Sequence, residues 1–302
     1  GGFHLVCDAR NPEAVERLRS RKEREEKPLA VMVANVASAR RWACVGDADE
    51  RLLAGAERPI VLIPKREVVE YELCGVADGM PELGLMLPYT PIHYMLFHDH
   101  AGRPAGTAWL EQAHDLVLVC TSANPSGEPI AIGNGEVTRR LAGIADAFLV
   151  HDRDIVQRCD DSVVRTLPGP FGLGEQIQFV RRSRGYTPRA IRLARRGPPV
   201  LAYGGGLKNS VCLTRGDEAF LSQHIGDLDS AANCLMLEEV AEHLQHIFAV
   251  TPEAVACDLH PDFHSTDVAA RLAERLGVPL IGVQHHHAHV AAVLAEHRWT
   301  GP

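Results

Sequence analysis

The 302-residue sequence has no Cys-x-x-Cys pair, no charged-then-apolar signal segment at its start, and no internal repeat or low-complexity tract. Its apolar runs all fall well short of the roughly 20 residues that a membrane helix needs. Eight cysteines (Cys7, Cys44, Cys74, Cys120, Cys159, Cys212, Cys234 and Cys257) stand singly, several inside apolar runs such as "LVLVCTSAN" and "AVACDLH". That scatter excludes a disulfide frame or a cysteine zinc site, and reads as reduced, mostly buried thiols of an intracellular, cytoplasmic protein. Positive charge is also in deficit, with 31 Lys and Arg against 39 Asp and Glu and a net charge of -8. The average field therefore repels nucleic acid and anionic membrane, and any phosphate binding must rest on a local patch.

What is present is a composition of 46% hydrophobic and 23% charged residues, that of globular protein with enough apolar surface for two ordinary domains. A start at Gly1-Gly2 without methionine and an end at Gly301-Pro302, just past an expected helix, lead us to expect a piece of a longer chain.

The first half opens on a strand, "FHLVCD", followed by "NPEAVERLRSRKEREEK". There Asn11 can cap a helix, Pro12 suits its first position, Glu13 suits its positive end, and Pro28 stops it. Strands are expected at "LAVMV", "IVLIP", "LVLVCTSAN", "AFLV", "DSVVRTL" and "IQFVRRSRGYTP", interleaved with helices near 36–43, 47–55, 91–98 and 134–143. This pattern predicts an α/β domain on a twisted, mixed sheet. The basic and Pro/Gly-rich "RAIRLARRGPP" lacks apolar periodicity, which puts the domain boundary between residues 196 and 197.

Beyond it, "PVLAYGG", "NSVCLTRG" and "EAFLSQH" read as three short strands, then a helix over 229–248, strand "AVACDL", helix 264–276, strand "PLIGVQ" and helix 286–297. The order βββαβαβα is the opening of an actin, Hsp70 and sugar-kinase-like domain, of which one lobe is visible.

Three cations, Lys22, Arg24 and Lys27, gather where a helix gives way to a strand and suit a polyphosphate. Read alone, with Glu23, Glu25 and Glu26 interspersed, they are more readily a solvated helix end. In "LVLVCTSANPSGEP" a buried strand ends on Ser122 and Asn124, side chains that emerge together at the carboxyl end where α/β sites lie. The alternative is a polar turn bonded to its own backbone. Gly204, Gly205 and Gly206 permit close approach to a ligand with Lys208 and Asn209 alongside, or simply a turn between strands. Asp258, His260 and Asp262 end a strand at a ligand-binding edge, and any of them could cap the next helix.

"HHHAH" supplies four histidines at 285–289. On a helix, His285 and His289 fall within about 40° of one another, so they form the one pair that can share an ion. Capping or surface hydrogen bonding is the alternative.

Together, K-x-R at Lys22 and Arg24 and S-x-N at Ser122 and Asn124 resemble the nucleotide signature of the YrdC family. Similar context continues through "CDA", "KPLAVMV", "DDSVVR" with Ser162, and "QFVRRSRGYTP" with Arg181, Arg182 and Arg184. The resemblance covers residues 1–190 or so, and implies ATP binding and formation of an acyl adenylate of a carbamate. It departs where threonylcarbamoyl-AMP synthases have "TVYGLGCDA" and this chain has "GGFHLVCDA", with Gly1, Phe3 and His4. That change argues against threonine as substrate.

The runs "GGFHLVCDA", "LMLPYTPIHYMLF", "CDDSVV", "RRSRGYTPR", "GGGLKNSVCL", "FLSQHIGDLD", "ACDLHPDFHSTD" and "VQHHHAH" are similar to the HypF family of NiFe-hydrogenase maturation. The resemblance implies a YrdC-like domain over 1–196, lacking its first strand, and the start of a carbamoyltransferase domain over 197–302. It implies that carbamate released from carbamoyl phosphate by a separate acylphosphatase-like domain is joined to ATP, with Mg, as carbamoyl-AMP. The carbamoyl group then passes to the carboxy-terminal cysteine of the partner HypE. It further implies roles for Lys22, Arg24, Ser122 and Asn124 in catalysis, for Lys27, Ser162, Arg182, Arg184, Lys208 and Asn209 in nucleotide binding, and for His285 and His289 as ligands to iron or zinc. Aspartate ligands would come from beyond Pro302. Alternatives are a threonylcarbamoyl or small-molecule carbamoyltransferase, and a double-stranded RNA-binding module, against which the net acidity weighs.

Overall fold

The computed structural model describes residues 1–24, 27–169, 175–296 and 299. They form two compact units, one of residues 1–126 and 130–185, the other of residues 127–129 and 186 onward. Glu25, Glu26, residue 297 of the last expected helix and Gly301-Pro302 lie outside the described residues.

The first unit is built on seven strands: β1 (His4–Asp8), β2 (Val31–Val33), β3 (Ile60–Pro64), β4 (Glu82–Met86), β5 (Val117–Ser122), β6 (Val163–Pro168) and β7 (Glu175–Arg181). Their spatial order is β1-β5-β2-β4-β3-β6-β7. The sheet is mixed as expected, with β2/β4 and β3/β6 parallel and the other neighbours antiparallel. The helices are α1 (Pro12–Lys22), α2 (Val36–Trp42), α3 (Asp47–Ala54), α4 (Val68–Glu72), α5 (Pro91–His100) and α6 (Asn134–Arg140).

Helix α1 starts as its sequence dictates. The Asn11 side chain accepts from the Ala14 N–H at 3.1 Å, Pro12 takes the first turn, and the helix closes on Glu23 in the left-handed region at φ 52°. Its buried residues are Val15, Leu18 and Lys22, an i, i+3, i+7 stripe. The same periodicity that buries the two aliphatic side chains thus turns Lys22 inward. Helix α5 covers part of one sheet face, where Phe97 and Trp109 pack with Met32, Ala34, Met86 and Cys120.

In the second unit a five-stranded sheet runs β12-β11-β9-β10-β8, made of β8 (Ala190–Gly197), β9 (Val200–Tyr203), β10 (Val211–Leu221), β11 (Ala254–Asp258) and β12 (Leu280–Val283). Helices α7 (Ala231–Phe248), α8 (His264–Leu276) and α9 (His285–Glu296) complete it. Strands β9, β11 and β12 are mutually parallel, as strand-helix-strand crossovers require. Met236, Leu237, Val240, Ala241 and Leu244 of α7 and Val268, Ala269, Leu272 and Ala273 of α8 pack on Leu201, Val211, Leu213 and Val255. Each fully buried aliphatic side chain there contributes about 1.5–3 kcal/mol.

Several expectations are corrected. "AFLV" forms no strand: Leu149 and Val150 are 63% and 45% exposed, and a strand needs a partner. "ELGLM" is strand β4, fully inserted between β2 and β3, although its residues are not the β-branched ones that announce strands. The stretch read as a linker is β8, paired with β10. It is an edge strand whose Arg192, Arg195 and Arg196 guard the open side against aggregation, and such charges read as loop in sequence. The expected boundary at 196/197 therefore falls at the end of a strand. The thiols are all free, but Cys120 and Cys257 alone are buried, while Cys44 and Cys74 are exposed.

Two of the expected strands join in β10. Eleven straight residues would separate its ends by about 30 Å, yet the Ser222 N–H donates to the Val211 carbonyl at 2.7 Å. The chain doubles back at Gly216, whose φ of 63° is a left-handed conformation that costs other residues energy. Its first arm pairs with β9 and its second with β8. Replacing Gly216 by valine is expected to lower stability by about 1–2 kcal/mol, read as a lower urea midpoint with unchanged slope; an unchanged midpoint would show that the reversal does not depend on this conformation.

Candidate functional site

The end of α1 and the end of β5 meet at one cluster. Lys22 Nζ donates to the Ser122 carbonyl and to Asn124 Oδ1 at 3.2 Å, with Ser122 Oγ and Thr121 Oγ1 each 3.5 Å away. Ser122 Oγ in turn donates to Asn124 Oδ1 at 2.7 Å. Arg24 Nη1 donates to Thr121 Oγ1 at 3.3 Å and Nη2 to the Pro28 carbonyl at 2.8 Å, and its buried Nε has no hydrogen-bond partner among the described residues. The four residues singled out in sequence, Lys22, Arg24, Ser122 and Asn124, are thus assembled, with Thr121 added between them. Strand alternation alone would set Thr121 on the face opposite Ser122 and Asn124, so its approach to Lys22 and Arg24 is legible only in the fold.

Lys22 is only 5% exposed, so it is no solvated helix end. Burial first, then the neighbouring charges of Arg24 and Arg181, pull its pKa down to about 7, while Asp160 works the other way. Burial, Arg19 and Arg181 likewise lower Arg24. Several cations held close, with few anions between them, form a field suited to a polyanion. Lys27 is exposed, and its carbonyl accepts from Arg19 at 3.1 Å.

A second cluster adjoins the first through the sheet: His4 is the register partner of Ser122. His4 Nε2 lies 3.2 Å from Asp161 Oδ2 and 3.4 Å from the Tyr89 hydroxyl. Arg184 donates through Nε to Asp161 Oδ1 at 2.8 Å, and through Nη1 and Nη2 to the carbonyls of Glu57 and Arg58 at 3.0 and 2.8 Å. Its guanidinium also sits 3.5 Å over the Tyr89 ring. Burial opposes the charge on Asp161, but His4 and Arg184 outweigh it and hold the carboxyl well below the usual carboxylate range. Burial equally opposes charging His4, and its contacts with Cys120 and Asp161 outweigh that and raise it. His93 is brought down to about 4 by burial and then by the charge of His4.

Two residues predicted to bind nucleotide serve this cluster. Ser162 is fully buried, accepts from the Ser183 N–H at 2.8 Å and donates to the Arg184 carbonyl at 2.9 Å. Arg184 fixes Asp161 in the way described. Arg182 lies half-buried with its guanidinium 5.9 Å from the Phe179 ring. In sequence His4 stands out as a departure, whereas no spacing ties Tyr89, His93 or Asp161 to it.

In the second unit the predicted histidine pair is side by side on α9, His289 Nε2 3.1 Å from His285 Nε2. Two imidazoles on one tetrahedral zinc would have nitrogens about 3.3 Å apart, given Zn–N bonds near 2.05 Å, so this donor pair fits a shared ion. His285 Nδ1 is 2.6 Å from Asp258 Oδ2, which orients the ring with Nε2 outward. That contact and the His260 N–H hold the Asp258 carboxyl below its ordinary range, against the effect of burial. Gly205 is there because a Cβ would stand 3.3 Å from His285 Cε1 and 3.5 Å from the Phe263 ring. Asn209 anchors that glycine loop by donating to the Gly205 carbonyl at 2.6 Å, and the Lys208 N–H donates to Asp227 Oδ1 at 2.7 Å. Among the described residues no group of three His, Cys, Asp or Glu side chains could hold a metal ion, and no helix is long and apolar enough to cross a membrane.

Residues 195–296 match the family model described as "HypF Kae1-like domain", and residues 1–183 match the Sua5, YciO and YrdC model described as "Telomere recombination". Carbamoyltransferase HypF2 of Cupriavidus necator is 62% identical over 297 residues, 98% of this chain and 36% of the relative. Carbamoyltransferase HypF of Rhizobium leguminosarum bv. viciae is 48% identical over 303 residues, 100% of this chain and 37% of the relative. A crystal structure of full-length HypF in the phosphate- and nucleotide-bound form superposes with a TM-score of 0.86 at 41% identity, covering 100% of this chain and 37% of that one. The chain therefore spans little more than a third of the length of these relatives. On two family models and on identity that runs through both units, the chain belongs to the HypF family of carbamoyltransferases.

Proposed function

We propose that the first unit joins carbamate, derived from carbamoyl phosphate, to ATP as carbamoyl-AMP. The second unit then passes the carbamoyl group to the carboxy-terminal cysteine thiol of HypE in hydrogenase maturation. The observation that carries the reading is the convergence of Lys22, Arg24, Thr121, Ser122 and Asn124 at the ends of α1 and β5. The phosphate and nucleotide bound by the full-length HypF of similar fold support it. The eight free cysteines suit a reducing compartment, the cytoplasm.

In the adenylation step a carbamate oxygen attacks the α-phosphorus and pyrophosphate leaves with its bonding electrons. Lys22 and Arg24 neutralise the phosphates, and Ser122 and Asn124 hold the Lys22 ammonium on line, so the unit works by electrostatic positioning. Mg would accompany the nucleotide. In the second unit His285 and His289 would hold iron or zinc, with Asp258 orienting His285. The ion, when bound, supplies Lewis-acid polarisation. Lys208 and Asn209 lie on the glycine loop beside His285, and we assign them to nucleotide contact there.

In ammonium bicarbonate, which holds carbamate at equilibrium, the chain should exchange labelled pyrophosphate into ATP and yield carbamoyl-AMP by mass. Lys22→Met is expected to abolish the exchange and to remain folded, since it removes a buried charge. Threonylcarbamoyl-AMP formed from threonine and bicarbonate at a comparable rate would overturn the assignment.

Lys22 must carry its proton to meet phosphate, and in the free chain it releases that proton at a pKa of about 7. ATP affinity should therefore be full below that pH and fall towards about tenfold per unit above it. The sign for folding is opposite: an unfolded lysine stays protonated to about pH 10.4, so stability rises with pH across that window. Calorimetric titration from pH 6 to 9 checks the first, and a flat affinity would remove Lys22 from the phosphate site.

For the metal, zinc titration of the isotope-labelled chain should shift the His285 and His289 imidazole resonances. Asp258→Asn should weaken binding by about 10- to 100-fold. Equal affinity in a chain lacking both histidines would refute the pair as ligands.

A further inference from the structure

Helix α5 begins with two polar atoms that the fold leaves unused. Thr90 stands at the cap position, yet its hydroxyl makes no capping bond. Thr90 Oγ1 and His93 Nδ1 are both buried with no hydrogen-bond partner among the described residues. His93 is 8% exposed, so its nitrogen cannot turn to bulk water for relief. Buried polar atoms are nearly always paired, and two orphans one helical turn apart mark a place where a ligand or a water completes the set.

The surroundings narrow the ligand. The His93 ring lies 4.7 Å from Tyr89 and 6.0 Å from His4, in the cluster that Asp161 and Arg184 hold together. His4 is paired across β1 and β5 with Ser122, the residue whose carbonyl and hydroxyl meet Lys22. The orphan atoms therefore belong to the cluster around His4, which is paired with the strand position where the acid must present an oxygen to the nucleotide. His93 is neutral, its pKa being about 4, and a neutral imidazole nitrogen without a proton accepts a hydrogen bond. A threonine hydroxyl accepts as well. A hydroxyl and an imidazole nitrogen within one helical turn, both without a partner among the described residues, suit a group that brings N–H donors.

We propose that His93 Nδ1 and Thr90 Oγ1 form the subsite that receives the amino group of carbamate and directs its carboxylate toward Ser122 and Lys22. This rests on the reading that the first unit adenylates carbamate. The pair selects an acid bearing a primary amino group over bicarbonate or acetate, which match its carboxylate and offer no such donors.

The test uses the whole chain, ATP and carbamate in equilibrated ammonium bicarbonate, with acetate as the control acid. His93→Leu keeps the volume and removes the acceptor. It should raise KM for carbamate on the order of 10- to 100-fold with ATP affinity unchanged, while His93→Gln, which keeps an acceptor, recovers most of it. Thr90→Val should narrow the preference for carbamate over acetate. Independently of turnover, the His93 nitrogen resonance of the 15N-histidine-labelled chain should move on adding carbamate and stay put on adding acetate. A His93→Leu chain with unchanged KM, or a resonance indifferent to carbamate, would overturn the subsite and leave the nitrogen to a water. A resonance that moves in a chain without carbamate-dependent exchange would sink the adenylation reading and keep the subsite.

Discussion

A single ammonium ion taken out of water constrains the first unit. Lys22 is 5% exposed because it continues the stripe of Val15 and Leu18 on α1, and the helix is phased by the Asn11 cap and Pro12 at its start. An ion placed so must be met by oxygens, and the end of β5 provides them from the Ser122 carbonyl, the Asn124 amide and two hydroxyls. The arrangement is not one of maximal stability, since lysine in this position gives up its proton several pH units early. Such a cost, retained at one point in an otherwise consistent fold, is what a site for an anion demands.

The neighbouring ions are held differently. Asp161 lies between His4 and Arg184, so one desolvated carboxylate serves two cations. At an effective dielectric near 20 each contact at about 4 Å is worth ~4 kcal/mol, against a desolvation penalty of several kcal/mol per buried ion. The remaining Arg184 donors go to the Glu57 and Arg58 carbonyls, and Ser162 locks the turn that carries Arg184. A network satisfied to that degree is rigid. The cluster therefore works as a fixed wall, and its two unspent atoms, on Thr90 and His93, are the exceptions in it.

Local grammar made most helices legible, though the short α4 has no such announcement. Asn11-Pro12-Glu13 announced α1, and α8 runs from His264 to Leu276 as its periodicity required. The Lys-x-Arg and Ser-x-Asn pairs, 100 residues apart, needed the fold to bring them together, and it does so through one helix end and one strand end. Strand β8 was hidden because edge protection by arginine and a solvated linker look alike in one dimension. Strand β4 was hidden because burial between β2 and β3, not β-branched composition, makes it a strand. The His4, His93 and Asp161 cluster was illegible for a further reason. Its members lie on β1, on α5 and just before β6, and nothing in a sequence states which buried histidine faces which carboxylate.

The histidine pair of the second unit shows the limit of what a motif fixes. Spacing by four residues brings the two Nε2 atoms to 3.1 Å, but spacing does not hold either ring. His285 is held by Asp258 at 2.6 Å, in a space that Gly205 leaves open because a Cβ there would stand 3.3 Å from its Cε1. The contacts described for His289 are with His285 itself. His285 is thus preorganised as a donor, whereas His289 has rotamer freedom to lose when an ion arrives. Preorganising one ligand lowers what the ion must order, so the carboxylate that fixes the His285 ring matters to affinity as well as the second histidine.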